Sequence, residues 1–162
     1  MGNSYEMKCQ KCGYDFKRLE GVGFLFPTVY QETVRKAKDG ELGKEIQDFF
    51  KENETGAINA ENVTLCCDKC GHLSKGKDLT MYIPKGKQEE RPKHGQWSIA
   101  APFVGADYVM KSELKERYDE YTTYPHICEE CGGRMHIVGE NEKIICPKCK
   151  IPLDIVGNGC WD

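Results

Sequence analysis

No stretch of this chain approaches the roughly 18 consecutive apolar residues of a membrane span, and no secretory signal pattern opens it. The first absence argues against a helical membrane anchor. The second leads us to expect a cytoplasmic protein whose cysteines stay reduced rather than paired as disulfides. A myristoylation signal is missing as well, because the sixth residue is Glu6 and not Ser or Thr. Met7 offers an alternative start that would leave residues 1–6 as an extension. Positive charge is not in excess: 23 Lys and Arg face 26 Asp and Glu, a net charge of −3. A nucleic-acid binder needs a basic face to displace counterions, so that class of partner is disfavoured. Catalytic signatures are equally scarce. There is no Gly-rich phosphate loop, G-x-S-x-G elbow or H-E-x-x-H pair, and only four histidines, His72, His94, His126 and His136. The expectation is a protein that is not an enzyme, with His94, in a polar loop, the one histidine worth testing for function.

Cysteine, by contrast, is abundant. Eight of the ten cysteines form four C-x-x-C pairs: Cys9/Cys12, Cys67/Cys70, Cys128/Cys131 and Cys146/Cys149. Two residues between cysteines let both sulfurs of a tight turn face one metal ion, and two such turns complete a tetrahedral thiolate cage. About fourteen residues separate Cys131 from Cys146, close to the roughly 15–20 of known paired sites. We therefore expect Cys128, Cys131, Cys146 and Cys149 to form one site. Cys9, Cys12, Cys67 and Cys70 would form the other, across an interval of some fifty residues. That interval is no obstacle, because closure entropy grows only logarithmically with loop length. Two structural zinc ions are the expected cofactors. Each four-thiolate cage carries about −2, which takes the filled protein to about −7. Four sulfurs leave no position for water, so neither site should be catalytic. Cys66 is expected to be a buried strand thiol and Cys160 a spare one.

The 162 residues suit an α+β protein of two modules. The first, over 7–124, is a zinc-knuckle domain with an inserted helical hairpin at about 27–53. The second, over 126–157, is a compact unit of knuckle, hairpin, knuckle and strand. Strands are expected at 22–26, 62–66, 78–83, 134–138, 143–146 and 151–156. Helices are expected at 27–38, 41–52 and 112–121, on apolar spacings such as Leu42, Ile46, Phe49 and Phe50. Residues 85–95 are polar enough for a loop, and 97–109 suit short strands and turns. The aromatic residues fit core packing better than base stacking, with Trp97 and Trp161 as surface anchors for a partner.

The Cys128-x-x-Cys131-Gly132 and Cys146-Pro147-x-Cys149 knuckles resemble the zinc-ribbon family, and those at Cys9 and Cys67 look similar. The chain has the look of a small prokaryotic zinc-ribbon protein. The resemblance covers about a third of the chain and implies a fold and a metal, not a substrate. The C-terminal part also resembles rubredoxin, which holds iron. Its interval is too short for that family, however, and Lys150 stands where Gly is expected, so iron is second to zinc. The function expected is a protein-interaction or regulatory module. A nucleic-acid factor using Arg134, Lys143, Lys148 and Lys150, and an enzyme or regulatory subunit with His94 or Cys160 reactive, are the alternatives. Chelation is expected to unfold the last thirty-odd residues first.

Overall fold

A computed structural model describes residues 2–86 and 107–161. Among these, three helices and nine strands occur in the order β1 (Gly2–Lys8), β2 (Asp15–Glu20), α1 (Phe26–Lys38), α2 (Lys44–Glu52), β3 (Ala57–Ile58), β4 (Asn62–Cys67), β5 (Leu73–Lys77), β6 (Met81–Pro84), α3 (Lys111–Arg117), β7 (Tyr118–Thr122), β8 (Met135–Ile137) and β9 (Asp154–Trp161). The mixed α/β composition matches the expected class. The strands form three antiparallel three-stranded sheets, ordered β2-β1-β9, β5-β4-β8 and β3-β6-β7. His94, Trp97 and most of the loop expected at 85–95 lie outside the described residues.

Contacts divide the chain into two units, and neither is continuous in sequence. The first gathers Met1–Gly23, Glu61–Asp78 and Pro125–Asp162; the second gathers Phe24–Ala60 and Leu79–Tyr124. All ten cysteines belong to the first.

In the second unit, α1 starts with Pro27 in its first turn, where a missing N–H costs nothing. Tyr30, Val34 and Ala37 fall on one buried face of α1, and Arg35, Lys36 and Lys38 in its last turn complement the helix dipole. α2 buries Ile46, Phe49 and Phe50. The Phe26 ring meets Tyr30 and Tyr108 edge-on at 6.0 and 6.3 Å, so the aromatic residues of α1 do pack as core. The expected strand at 22–26 is not formed, since Phe26 already belongs to α1. α3 ends at Arg117, and Tyr118 becomes the first residue of β7, paired with Pro84 of β6. Tyr118 and Tyr121 suit either a helical stripe or an extended strand, and the ladder with β6 decides for the strand. The start of α3 is held by Glu113, whose Oε2 accepts the Met110 N–H at 2.8 Å. The helix begins at Lys111, one residue before the expected start at 112.

In the first unit, β1 and β2 form a hairpin around Cys9 and Cys12, and β4 and β5 form one around Cys67 and Cys70. The third strand of each sheet arrives from far along the chain. β9 pairs with β1 through seven residue pairs, and β8 pairs with β4 through three. Residues 2–6, which a start at Met7 would leave as an extension, belong to β1, the middle strand of its sheet. Met7, Phe16, Leu73, Val138, Ile144 and Leu153 pack with Cys9 and Cys146 in one buried cluster. Leu65 and Met135 pack with Cys67 and Cys128 in another.

Candidate metal centres

Each C-x-x-C turn is built the same way. The first cysteine accepts at its carbonyl from the N–H four residues on: Gly13 to Cys9, Gly71 to Cys67, Gly132 to Cys128 and Lys150 to Cys146, at 2.8–3.0 Å. The first cysteine's own N–H donates to the carbonyl five residues on, at Tyr14, His72, Gly133 and Ile151. This closed loop forces the fourth residue after the first cysteine into the left-handed region, with φ of 71°, 76°, 67° and 58°. Glycine tolerates that conformation at three of the four positions, and Lys150 adopts it against the preference of a side-chain-bearing residue.

The four turns meet in two clusters, Cys9, Cys12, Cys146 and Cys149, and Cys67, Cys70, Cys128 and Cys131. In each, all four sulfurs lie within 4.8 Å of one another. All eight expected ligands are thus brought together, but the expected pairing is overturned. The first turn joins the fourth and the second joins the third, so one site is nested inside the other. The physical reason is sheet pairing. β9 follows Cys149 and pairs with β1, which precedes Cys9, whereas β8 follows Cys131 and pairs with β4, which precedes Cys67. The stretch 126–157 therefore does not close on itself, and no strand forms at 143–146. Within it the backbone is joined by the hydrogen bonds of the two turns and by the isolated bridges Ile127 to Arg134 and Ile145 to Pro152, with no ladder between two of its own strands.

The geometry suits a tetrahedral metal ion. Sulfur–sulfur separations are 3.7 Å for Cys12 and Cys146, 3.5 Å for Cys67 and Cys131, and 3.7 Å for Cys70 and Cys128. Metal–sulfur bonds of about 2.3 Å in a tetrahedron would set neighbouring sulfurs roughly 3.8 Å apart. A disulfide would need about 2.05 Å, and all ten cysteines are free thiols. The electrostatics point the same way. The Cys12 N–H, with that of Lys11, draws the Cys9 thiol down to about 7 against the effect of burial. The Cys70 N–H, 3.5 Å from Cys67 Sγ, leads the groups that draw Cys67 down to about 6. Cys149 is pushed up to about 12, by the Cys12 thiol first and burial second. Within a cluster the sulfurs cannot all ionise cheaply side by side unless a cation joins them. Both clusters can therefore hold metal ions.

Around the inner cluster, Gly133 is a close approach: a Cβ there would stand 3.2 Å from the sulfurs of both Cys131 and Cys67. Cys66 is half-buried in β4 with its thiol raised, chiefly by burial, as expected of a strand thiol. Cys160 is exposed on β9, opposite Asn3. His126 places Nε2 3.0 Å from the Asp78 carbonyl. Trp161, expected to anchor a partner, donates its indole N–H within the first unit, to the carbonyls of Asn3 and Glu20 at 3.1 and 3.2 Å.

Sequence reasoning missed what surrounds His136. Its Nδ1 lies 2.6 Å from Asp68 Oδ1 and its Nε2 2.9 Å from Glu142 Oε1. The two carboxylates, Glu142 first, hold its pKa above the usual histidine value. Glu142 also accepts the Gly139 N–H, and Arg18 donates to the Gly139 carbonyl at 3.1 Å. The partners come from three separate segments, and no local pattern announces them.

Among the described residues, no helix is long and apolar enough to cross a membrane. Comparison of the chain with protein-family models, with curated proteins and with solved structures returned no match in any of the three.

Proposed function

We propose that this protein is a non-catalytic zinc-binding protein that acts as a protein-interaction module, with the partner bound by its second unit. The observation that carries the reading is the closure of both clusters: four sulfurs each, with no position left for water or substrate. Zinc suits such a cage because it is borderline-soft, redox-inert and indifferent to ligand-field geometry. Two zinc-ribbon-like sites, each a knuckle hairpin completed by a distant knuckle and strand, would fix the first unit as a rigid frame.

The second unit supports the partner side of the reading. A groove of roughly 590 Å3 is lined by Glu45, Asp48, Phe49 and Glu52 of α2, Met81 of β6, and Tyr121 and Thr122 at β7. Tyr121 is about half exposed, with its ring 5.3 Å from that of Phe49. An acidic wall over an aromatic floor complements a lysine- or arginine-bearing protein segment. The nucleic-acid alternative is weakened because two of the cations it would use are engaged in the fold: Lys148 stands over the Tyr14 ring at 5.8 Å, and Lys150 is bonded to the Cys70 carbonyl.

Two measurements test the reading. Elemental analysis should give two zinc ions per chain and a colourless protein; a red, iron-containing one would overturn the metal assignment. Affinity capture with the wild-type chain should retain proteins that Glu45→Lys/Glu52→Lys and Tyr121→Ala lose. Equal retention by all three would sink the interaction reading.

A further inference from the structure

We propose that the two clusters fill as one cooperative unit, with Lys150 as the residue that couples them. The inference rests on the reading that both cages hold zinc and goes beyond it, since two zinc sites in one chain need not communicate.

The carrying observation is the odd member of the four turns. Three place glycine at the left-handed position; the fourth places Lys150 there, at φ 58°. A side-chain-bearing residue persists in that conformation only where its surroundings hold it. Lys150 follows Cys149 of the outer cluster, yet its Nζ donates to the Cys70 carbonyl of the inner cluster at 3.1 Å. It lies so close to the inner turn that a Cβ on Gly71 would stand 3.3 Å from that Nζ. The left-handed backbone of one ligand turn thus aims an ammonium at the backbone of the other.

Two further features act in the same direction. Leu73, which opens β5 and so belongs to the inner hairpin, is buried in the cluster that contains Cys9 and Cys146. Ordering the inner site therefore presents part of the apolar wall behind the outer one. The chain order adds an entropic contribution. Cys12 and Cys146 are 134 residues apart, and Cys70 and Cys128, nested between them, are 58 apart. Filling the inner site takes its 58 residues out of the outer loop, leaving about 76. With closure entropy scaling as 1.5 R ln n, this tightens the outer site about twofold. The Lys150 hydrogen bond adds about fivefold, the worth of one ordinary net hydrogen bond. Together they give a coupling of about tenfold, equal in both directions by linkage.

The test is a cobalt(II) titration of the metal-stripped full-length chain, in which tetrathiolate cobalt is counted by its charge-transfer and visible bands. The outer cluster measured in Cys128→Ser/Cys131→Ser should bind cobalt about tenfold more weakly than in the intact chain. The inner cluster in Cys9→Ser/Cys12→Ser should weaken by the same factor. Lys150→Gly leaves all eight ligands and relaxes the backbone, so both sites should still fill but with only about twofold coupling. Lys150→Arg, which can still donate to the Cys70 carbonyl, should keep most of it. Independent filling of the two clusters in the wild type, or full coupling in Lys150→Gly, overturns the proposal. Failure of the zinc reading would look different: no tetrathiolate cobalt spectrum from either cluster.

Discussion

Removing metal should dismantle the first unit and spare the second. The buried groups of the first unit include four ligand cysteines, Cys9, Cys67, Cys128 and Cys146, so its apolar core is assembled around the clusters rather than beside them. A structural zinc site in a small peptide contributes an apparent 10–16 kcal/mol to folding at neutral pH, roughly. Whole domains are stable by only about 5–15 kcal/mol. Losing even one site thus removes as much free energy as a unit of this size has to lose. The second unit contains no cysteine, and the described part of its core, with Tyr30, Ile46, Phe49 and Met81, is built from aromatic and apolar side chains. Hydrogen exchange followed by mass spectrometry, before and after exhaustive chelation, resolves the two. Protection should collapse together in β1, β4 and β9, which lie in three separate stretches of sequence, and persist in α1 and α2. The pairing of β9 with β1 argues against the sequence-based expectation that the last thirty-odd residues melt first, and the same experiment decides between the two. Metal-stripped protein that keeps slow exchange in β1, β4 and β9 would refute this reasoning.

Three further outcomes are expected. Gly133→Ala places a methyl against the sulfurs of Cys67 and Cys131, so it should weaken cobalt binding at the inner cluster by more than the outer; equal loss at both would argue against a local clash. For His136, a pKa raised by Glu142 and Asp68 means stabilisation that is fully present below about 6.5 and lost as pH rises through the folded value. Glu142, lowered first by the Gly139 N–H and then by His136, stabilises above about 4.5 and loses that as pH falls through its folded value. His136→Gln should therefore lower the melting temperature most between about pH 5 and 6.5, and progressively less as pH rises through the folded value. The effect is about 0.2–1 kcal/mol, because the side chain is 42% exposed. A pH-independent difference would count against the ion pairs. Phe49→Ala should cost about 3–5 kcal/mol in the second unit, read by loss of helical circular dichroism on heating, with the cobalt spectrum unchanged.

How much of this was legible in the sequence depended on the range of the interactions. The turns at Cys9, Cys67, Cys128 and Cys146 are each fixed within five residues, and spacing alone located them. The helices at 26–38 and 44–52 follow from the spacing of Tyr30 and Val34, and of Ile46, Phe49 and Phe50. Which turn shares an ion with which is decided by β9 lying along β1, with Gly2 opposite Trp161. Closure entropy is too flat with length for intervals to reveal such a pairing. β5, with the sequence Leu-Ser-Lys-Gly-Lys, carries too little apolar pattern to be read as a strand and exists because β4 offers it a ladder. The Lys150 contact needed two conditions at once, a left-handed backbone and the other cluster's turn within reach, and sequence shows neither.

Nesting has a consequence for synthesis on the ribosome. Cys12 emerges 137 residues before Cys149, its last partner. At translation speeds of about 5–20 residues per second, Cys9 and Cys12 stand as a bare two-thiol half-site for roughly 7–27 s. Cys67 and Cys70 emerge well within that time, and a shared ion would trap the very arrangement that reading in chain order suggests. Nascent chains of this protein must therefore either keep the early thiols empty or release a wrongly placed ion before the final strand can dock.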